Sequence, residues 1–454
     1  MLATKIKKQA DLTEGPFLKK IILFILPVLF TSLLQSLYNS ADLAVVGHFR
    51  GDLALAAVGS TGSITNLTVC LFLGLSVGSG VVLSHTIGAR DDVMARKTVH
   101  TSVLLAVMLG ILTMVIGFVG APHFLRWMDT PDTIINSATI YMRIIFLGLP
   151  AQMTYNYCAT MVRATGDAKH PLMFLSISGI VNVIFNFFFV AVCGMGVEGV
   201  ALATIISQYL STAMIIVFMY RSEGYIQLRF KELCIDHTLV SRILKIGVPS
   251  GIQSAMFAIS NVVLQSSVNS LGDIAVAGCT AAANIDGWVY IVCNSGYHAA
   301  LAFVGQNMGA RRYENIKKIT ITSTLCIVVI GLFFGGVLLI APRAFLSIFT
   351  SGSPAVMEAG LSRLYTLLPL YFLCGIMETL SGVLRGMGKS LYTMVVALIT
   401  SCILRIVWVN TVFLISPTLP TIFCVYPITW ALGILAYTVI IIYFSRKLTK
   451  PINQ

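Results

Sequence analysis

The chain has 454 residues, 57% of them hydrophobic and only 11% charged, where a soluble domain carries about 25% charged residues. That balance excludes a soluble globular enzyme and makes lipid the principal solvent. The formal net charge of +12 raises the question of nucleic acid, but no compact basic face with interleaved aromatics appears, so no nucleic-acid partner is expected.

Apolar runs long enough to cross a bilayer, about 20 residues each, are expected near 18–46, 55–84, 98–120, 134–157, 171–192, 199–220, 242–267, 274–304, 319–340, 358–383, 391–415 and 422–444. The fold class is therefore an all-α integral membrane protein with twelve transmembrane helices. The first span is interrupted by Pro27, which removes a backbone donor and is a candidate helix bend. Further along, Gln35, Tyr38 and Asp42 fall on one stripe, because steps of four and seven residues share a helix face; Asn39 sits at its edge. A charged Asp at membrane depth costs roughly 2.5–3.5 kcal/mol on insertion scales, and such a residue is by default a functional site.

The fifth span carries Asn182 and Asn186 four residues apart, and the sixth carries Thr204. A carboxylate with Asn and Thr oxygens can be satisfied by a proton or by a small hard cation such as Na⁺. Asp42, Asn182, Asn186 and Thr204 are the candidate Na⁺ ligands; an interhelical hydrogen-bond cluster is the structural alternative.

A polar stretch from Arg221 to Arg242 divides the chain. The expected organisation is an N-terminal six-helix lobe (1–220), a cytoplasmic linker (221–241) and a C-terminal six-helix lobe (242–454). The halves repeat at a spacing of about 222 residues. Leu26-Pro27-Val28 answers Val248-Pro249-Ser250, and Asn39 answers Asn261. Gly88-Ala89-Arg90 answers Gly309-Ala310-Arg311, and Arg163-Ala164-Thr165-Gly166 answers Arg385-Gly386-Met387-Gly388. Six spans per half return the chain to the side it started from, so the repeats are parallel. Gly74…Gly78 and Gly382…Gly386 have the spacing of close helix contacts.

The polar constellation itself is not repeated. Asp42 is answered by Leu264 and Asn186 by Trp408. The second half instead carries Asp286 in the eighth span, Glu378 in the tenth and Arg405 in the eleventh. These three are the candidate substrate-pathway residues, with Glu378 and Arg405 as an intramembrane ion pair. Arg163 and Arg385 follow spans and are expected as cytoplasmic anchors. Apart from Arg50, Arg126, Arg143, Arg343, Arg363 and Arg405, every Lys and Arg falls on one side of this topology. The positive-inside rule then places both termini in the cytoplasm of a multi-pass plasma (inner) membrane protein.

The ten Cys and seven His show no CxxC pair and no metal-ligand spacing, so no cofactor is expected beyond a coupling ion. No hydrolase or kinase pattern and no GxxxxGK[ST] sequence is present, which leaves an ion gradient as the energy source.

Together, the run Gln35…Tyr38-Asn39-Ser40-Ala41-Asp42 leading into Val46-Gly47-His48, the upstream Pro27, the two Gly-Ala-Arg motifs and the two Arg-containing turns after the fourth and tenth spans resemble the multidrug and toxic compound extrusion (MATE) transporters over essentially the whole chain. The resemblance implies no enzyme but a twelve-helix antiporter of the inner membrane. Such proteins export cationic, amphipathic compounds in exchange for H⁺ or Na⁺. It carries the cation-coupling role to Asp42, with support from Tyr38, Gln35, Asn182, Asn186 and Thr204, and the bend to Pro27. The expected partners are a small cationic substrate and the bilayer, with the chain acting as a monomer.

The sequence departs from the family in three places. Some members carry Asp where Asn186 stands. Another branch has an acid shortly after the seventh-span Pro, and the stretch Pro249 to Phe257 has none. That branch also has a tenth-span Asp where Cys374 stands, one turn before Glu378. The competing functions are a lipid-linked saccharide flippase of similar architecture, which calls for several cavity Arg or Lys, and a membrane enzyme or receptor without transport.

Overall fold

The computed structural model describes residues 11–128, 130–347 and 353–449, with side chains for all of these but 36–57, 59, 60, 63 and 449. Every regular element among them is helical, as lipid demands of a chain whose backbone groups must be satisfied internally. Among the described residues, twelve helical stretches are long and apolar enough to cross a membrane. The helix Phe17–Gly88 carries the first two, Phe17–Gln35 and Ile64–Gly88. The others are Asp92–Trp127, Asp132–Ala164, Lys169–Val192, Val197–Arg221, His237–Asn269, Asp273–Gly309, Glu314–Ile340, Pro354–Gly386, Ser390–Ile415 and Leu419–Leu448. Most run past the expected apolar limits, because polar end residues continue and cap the helices. Asp91 accepts from the Met94 amide at 2.9 Å, and Asp167 accepts from the Lys169 and His170 amides, each satisfying donors that a helix start leaves open. Burial pushes the Asp167 carboxyl up, but His170 and the two amides hold it below the usual carboxylate range.

The repeat is visible in the backbone. Arg90 and Arg311 are the two non-glycine residues with left-handed φ among the described residues, at 56° and 57°. Each follows a Gly-Ala pair and closes its helix with the same bonds: Asp91 N to Thr86 O at 3.1 Å in one, Arg312 N to Asn307 O at 2.9 Å in the other. Gly166 and Gly388 form a second matched pair, with φ of 86° and 74°, each donating to the carbonyl of the Arg three residues back. These are helix ends closed by a left-handed residue, placed alike in both halves.

The chain packs as two compact units. One is Phe30–Gly251; the other combines Leu12–Leu29 with the residues from Ile252 onward. The division falls inside the seventh span. In the first unit the polar stretch after Arg221 folds back: Ile226 and Leu228 are buried in the core with Val99, Val103 and Met219. The Arg229 amide donates to His100 Nε2 at 3.0 Å, and Thr101 donates to the Cys234 carbonyl at 3.1 Å. In the second unit the segment at Leu12–Glu14 is held by side chains of the Gly-Ala-Arg turn. Gln306 and Asn307 bond both backbone groups of Leu12, and Arg312 and Asn315 donate to the Thr13 carbonyl.

Both glycine spacings are close-contact sites. A Cβ on Gly78 would lie 2.1 Å from the Ile243 carbonyl oxygen, and one on Gly382 would lie 2.5 Å from that of Tyr297. The obstructing atoms are backbone and cannot move aside. Gly78→Leu is therefore expected to abolish monodisperse folded protein in detergent, whereas Gly336→Ala, where a Cβ meets nothing within 4 Å, is expected to leave it unchanged. Size-exclusion chromatography of the two variants checks this.

Candidate functional site

In the first unit the fifth span places Asn182 and Asn186 one turn apart, 4% and 0% exposed. The Asn186 amide donates to Asn182 Oδ1 at 3.2 Å. The α-helix ends one residue later, and Phe188–Val192 is wound as a π-helix. Single π-turns are rare and recur at functional sites, because they shift the register of the following side chains. Thr204, on the sixth span, donates to the Val200 carbonyl at 2.9 Å. Gln35 is exposed at the end of the first span. The structure thus joins Asn182 to Asn186 directly. Tyr38 and Asp42 lie on the helix Phe17–Gly88, but their side chains are outside the described residues. Pro27 lies inside the same helix.

The second unit holds a larger polar array. Arg363 Nε donates to Asp286 Oδ2 at 2.8 Å, with side-chain exposures of 14% and 6%. The Arg363 guanidinium carbon sits 4.8 Å from the Phe423 ring centre. Tyr371, Tyr426 and Trp430 form an aromatic wall nearby, with Tyr371–Trp430 centroids at 5.1 Å and Tyr426–Trp430 at 5.8 Å. Arg405 lies 4.3 Å from the Tyr426 ring centre and donates to Asn261 Oδ1 at 3.4 Å. It follows another π-helical segment, Leu398–Ile403, in the span that answers the fifth. Here the Ser260 hydroxyl donates to the Ser401 carbonyl at 2.5 Å, and the Cys402 thiol donates to that of Met256 at 3.2 Å.

Arg385 is not an exposed anchor. It is 7% exposed and donates to the Tyr297 hydroxyl at 2.7 Å and to Gln253 Oε1 at 2.8 Å. The tenth span runs to Gly386, three residues beyond the expected end, and that extension carries Arg385 inside. Glu378, two turns earlier, interacts with it through space.

The expected ion pair between Glu378 and Arg405 does not form; among the described residues the ion pair within the spans is that of Asp286 with Arg363. Arg363 and Gln253 are site residues that the sequence reading passed over. Their signal was a strongly polar side chain within a membrane span: Arg363 meets an acid two spans away and Gln253 a base three spans away.

A family model, MatE, matches residues 27–188 and 249–410, two copies displaced by the same interval as the repeat. Two relatives in Bacillus subtilis (strain 168) are similar over most of their length. The probable multidrug resistance protein YoeA is 27% identical over 389 residues, covering 83% of this chain and 82% of the relative. The probable multidrug resistance protein YpnP is 27% identical over 403 residues, covering 88% and 89%. A solved structure described as the outward-facing conformation of a multidrug resistance MATE family transporter of the MOP superfamily superposes with a TM-score of 0.92 at 21% identity. It covers 99% of this chain and 100% of that one.

Proposed function

This chain belongs to the MatE family, a multi-pass membrane transporter family, and from that premise we propose that it exports cationic, amphipathic small molecules from the cytoplasm by alternating access. An inward flow of H⁺ or Na⁺ drives the export. The observation that carries the reading is the family match over both repeats, in a chain whose full-length relatives are named for multidrug resistance. The coupling site is Asp42, with Tyr38, Gln35, Asn182, Asn186 and Thr204 as its polar surroundings. The buried Asn182–Asn186 pair beside a π-turn supports this assignment: amide oxygens at membrane depth suit a shared proton or a Na⁺ ion. Pro27 provides the bend of the first span, and both termini face the cytoplasm of the inner membrane.

The flippase reading needs several free cations for a pyrophosphate. Among the described arginines within the spans of the second unit, Arg363 is neutralised by Asp286 and Arg385 is engaged with Tyr297 and Gln253, which leaves Arg405. Efflux is therefore the better reading.

The test is ethidium movement in reconstituted vesicles under an imposed H⁺ gradient and, separately, an imposed Na⁺ gradient. Uphill movement under one of them is the expected result and names the ion. Folded protein that moves ethidium under neither would overturn the coupling.

A further inference from the structure

The two repeats close their fourth and tenth spans with the same left-handed glycine turn and then begin the next span differently. After Gly166 the first half places Asp167, whose carboxylate accepts from the Lys169 and His170 amides at 3.0 and 3.2 Å. A helix start exposes unsatisfied N–H groups and the positive end of the helix dipole, and an anion there answers both. After Gly388 the second half places Lys389 at the position of Asp167 and Ser390 at that of Ala168. The helix from Ser390 has no side-chain cap. The Leu391 amide, which answers that of Lys169, therefore has no carboxylate to bond among the described residues.

Further groups gather at this uncapped start. The Ser390 hydroxyl is buried, on a residue 1% exposed, and has no hydrogen-bond partner. Lys389 Nζ sits 4.6 Å from the Phe444 ring centre and forms no ion pair among the described residues. An ammonium has three donors, and a ring face occupies one side of it. Tyr392 and Tyr443 flank Phe444 edge-on, with centroids at 5.1 and 5.2 Å, and both are exposed. The chain carries no Asp or Glu beyond Glu378, while Arg446 and Lys447 are exposed within a turn of Tyr443. The eleventh span begins at Ser390 and the twelfth ends at Leu448, so this cluster of cations and exposed tyrosines lies at a membrane interface.

We propose that the turn Lys389–Leu391 binds the phosphate of an anionic phospholipid, which takes the place that the Asp167 carboxylate holds in the first half. On the topology proposed above, that lipid sits in the inner leaflet. Lys389 supplies the charge, and Ser390 Oγ and the Leu391 amide supply hydrogen bonds, as phosphates are held at helix starts. A free phosphate shares this anion chemistry. The exposed side chains of Leu391, Tyr392 and Tyr443 beside the turn favour the lipid, because they offer its acyl chains a surface and a hydrated ion nothing. None of the substrate-pathway residues takes part, so the inference goes beyond the efflux reading and stands apart from it.

The experiment uses the full chain with Tyr443→Trp as a reporter, reconstituted in phosphatidylcholine with brominated phosphatidylglycerol or brominated phosphatidylcholine as guest. Bromine quenches an indole it touches, so quenching beyond that of the chain's own four tryptophans shows which lipid occupies this position. Both guests carry a phosphate, but the choline of the second offsets its charge beside Lys389. Phosphatidylglycerol is expected to be preferred about tenfold, the size of one charge-assisted pair. Lys389→Gln should bring the preference to about one. Lys389→Asp should abolish it with no loss of thermal stability, because an aspartate there caps the helix as Asp167 does, so a folded variant carries the test. Ser390→Ala should lower the preference about threefold. Equal quenching by the two guests in the reporter protein overturns the proposal, as does a preference that Lys389→Asp leaves in place. Inorganic phosphate that removes the preference would assign the site to a free anion and overturn it too.

Discussion

Asp286→Asn is expected to destabilise the second unit by about 3–5 kcal/mol, the usual effect of removing one partner from a buried ion pair. The pair is close, at 2.8 Å, and both side chains are largely withdrawn from solvent. Neutralising the acid leaves the Arg363 guanidinium between Phe423 and an amide that cannot compensate its charge. The double variant Asp286→Asn with Arg363→Gln should recover most of the loss, because neither residue then carries an uncompensated charge. Thermal unfolding in detergent measures both. A loss under about 1 kcal/mol for the single variant would mean that Asp286 contributes no structural ion pair and belongs to the transport pathway instead.

The second large effect falls on activity. Asp42→Asn is expected to bring gradient-driven ethidium movement down to that of protein-free vesicles while the protein remains folded, since an amide neither carries a titratable proton nor offers a charged ligand to Na⁺. The repeat supplies a control at Leu264. That residue is 2% exposed, and truncating it to Ala would cost about 2–5 kcal/mol by opening a cavity. Leu264→Met keeps the volume and should leave coupled movement intact. Full gradient-driven movement by Asp42→Asn would remove Asp42 from the coupling step.

The features most legible in the residue string were those that recur at a fixed interval or depend on a long apolar run. Twelve spans follow from hydrophobic length. The Gly-Ala-Arg motifs, weak one at a time, turn out to be the same left-handed helix end in both halves. Gly78 and Gly382, marked only by spacing, sit against backbone. Pairings across the second unit were harder to read. Asp286, Glu378, Arg363, Arg385 and Arg405 lie on three spans, and hydropathy gives neither their rotation nor their exact depth. Arg385 shows the cost of a boundary set three residues short: one more turn of helix changes it from an interfacial anchor to a buried donor. The π-helical segments after Asn186 and before Arg405 had no local signature, since apolar residues surround both and the extra residue per turn is absorbed by tertiary packing.

The most direct measurement of the central claim reads the ion and not the drug. Vesicles containing the protein and a trapped pH or Na⁺ indicator are exposed to a step of ethidium, with no ion gradient imposed. Coupled exchange predicts that ethidium entry drives the opposite movement of one of the two ions, in the wild type and not in Asp42→Asn. Ethidium that crosses through the wild-type protein with neither indicator responding would contradict the account.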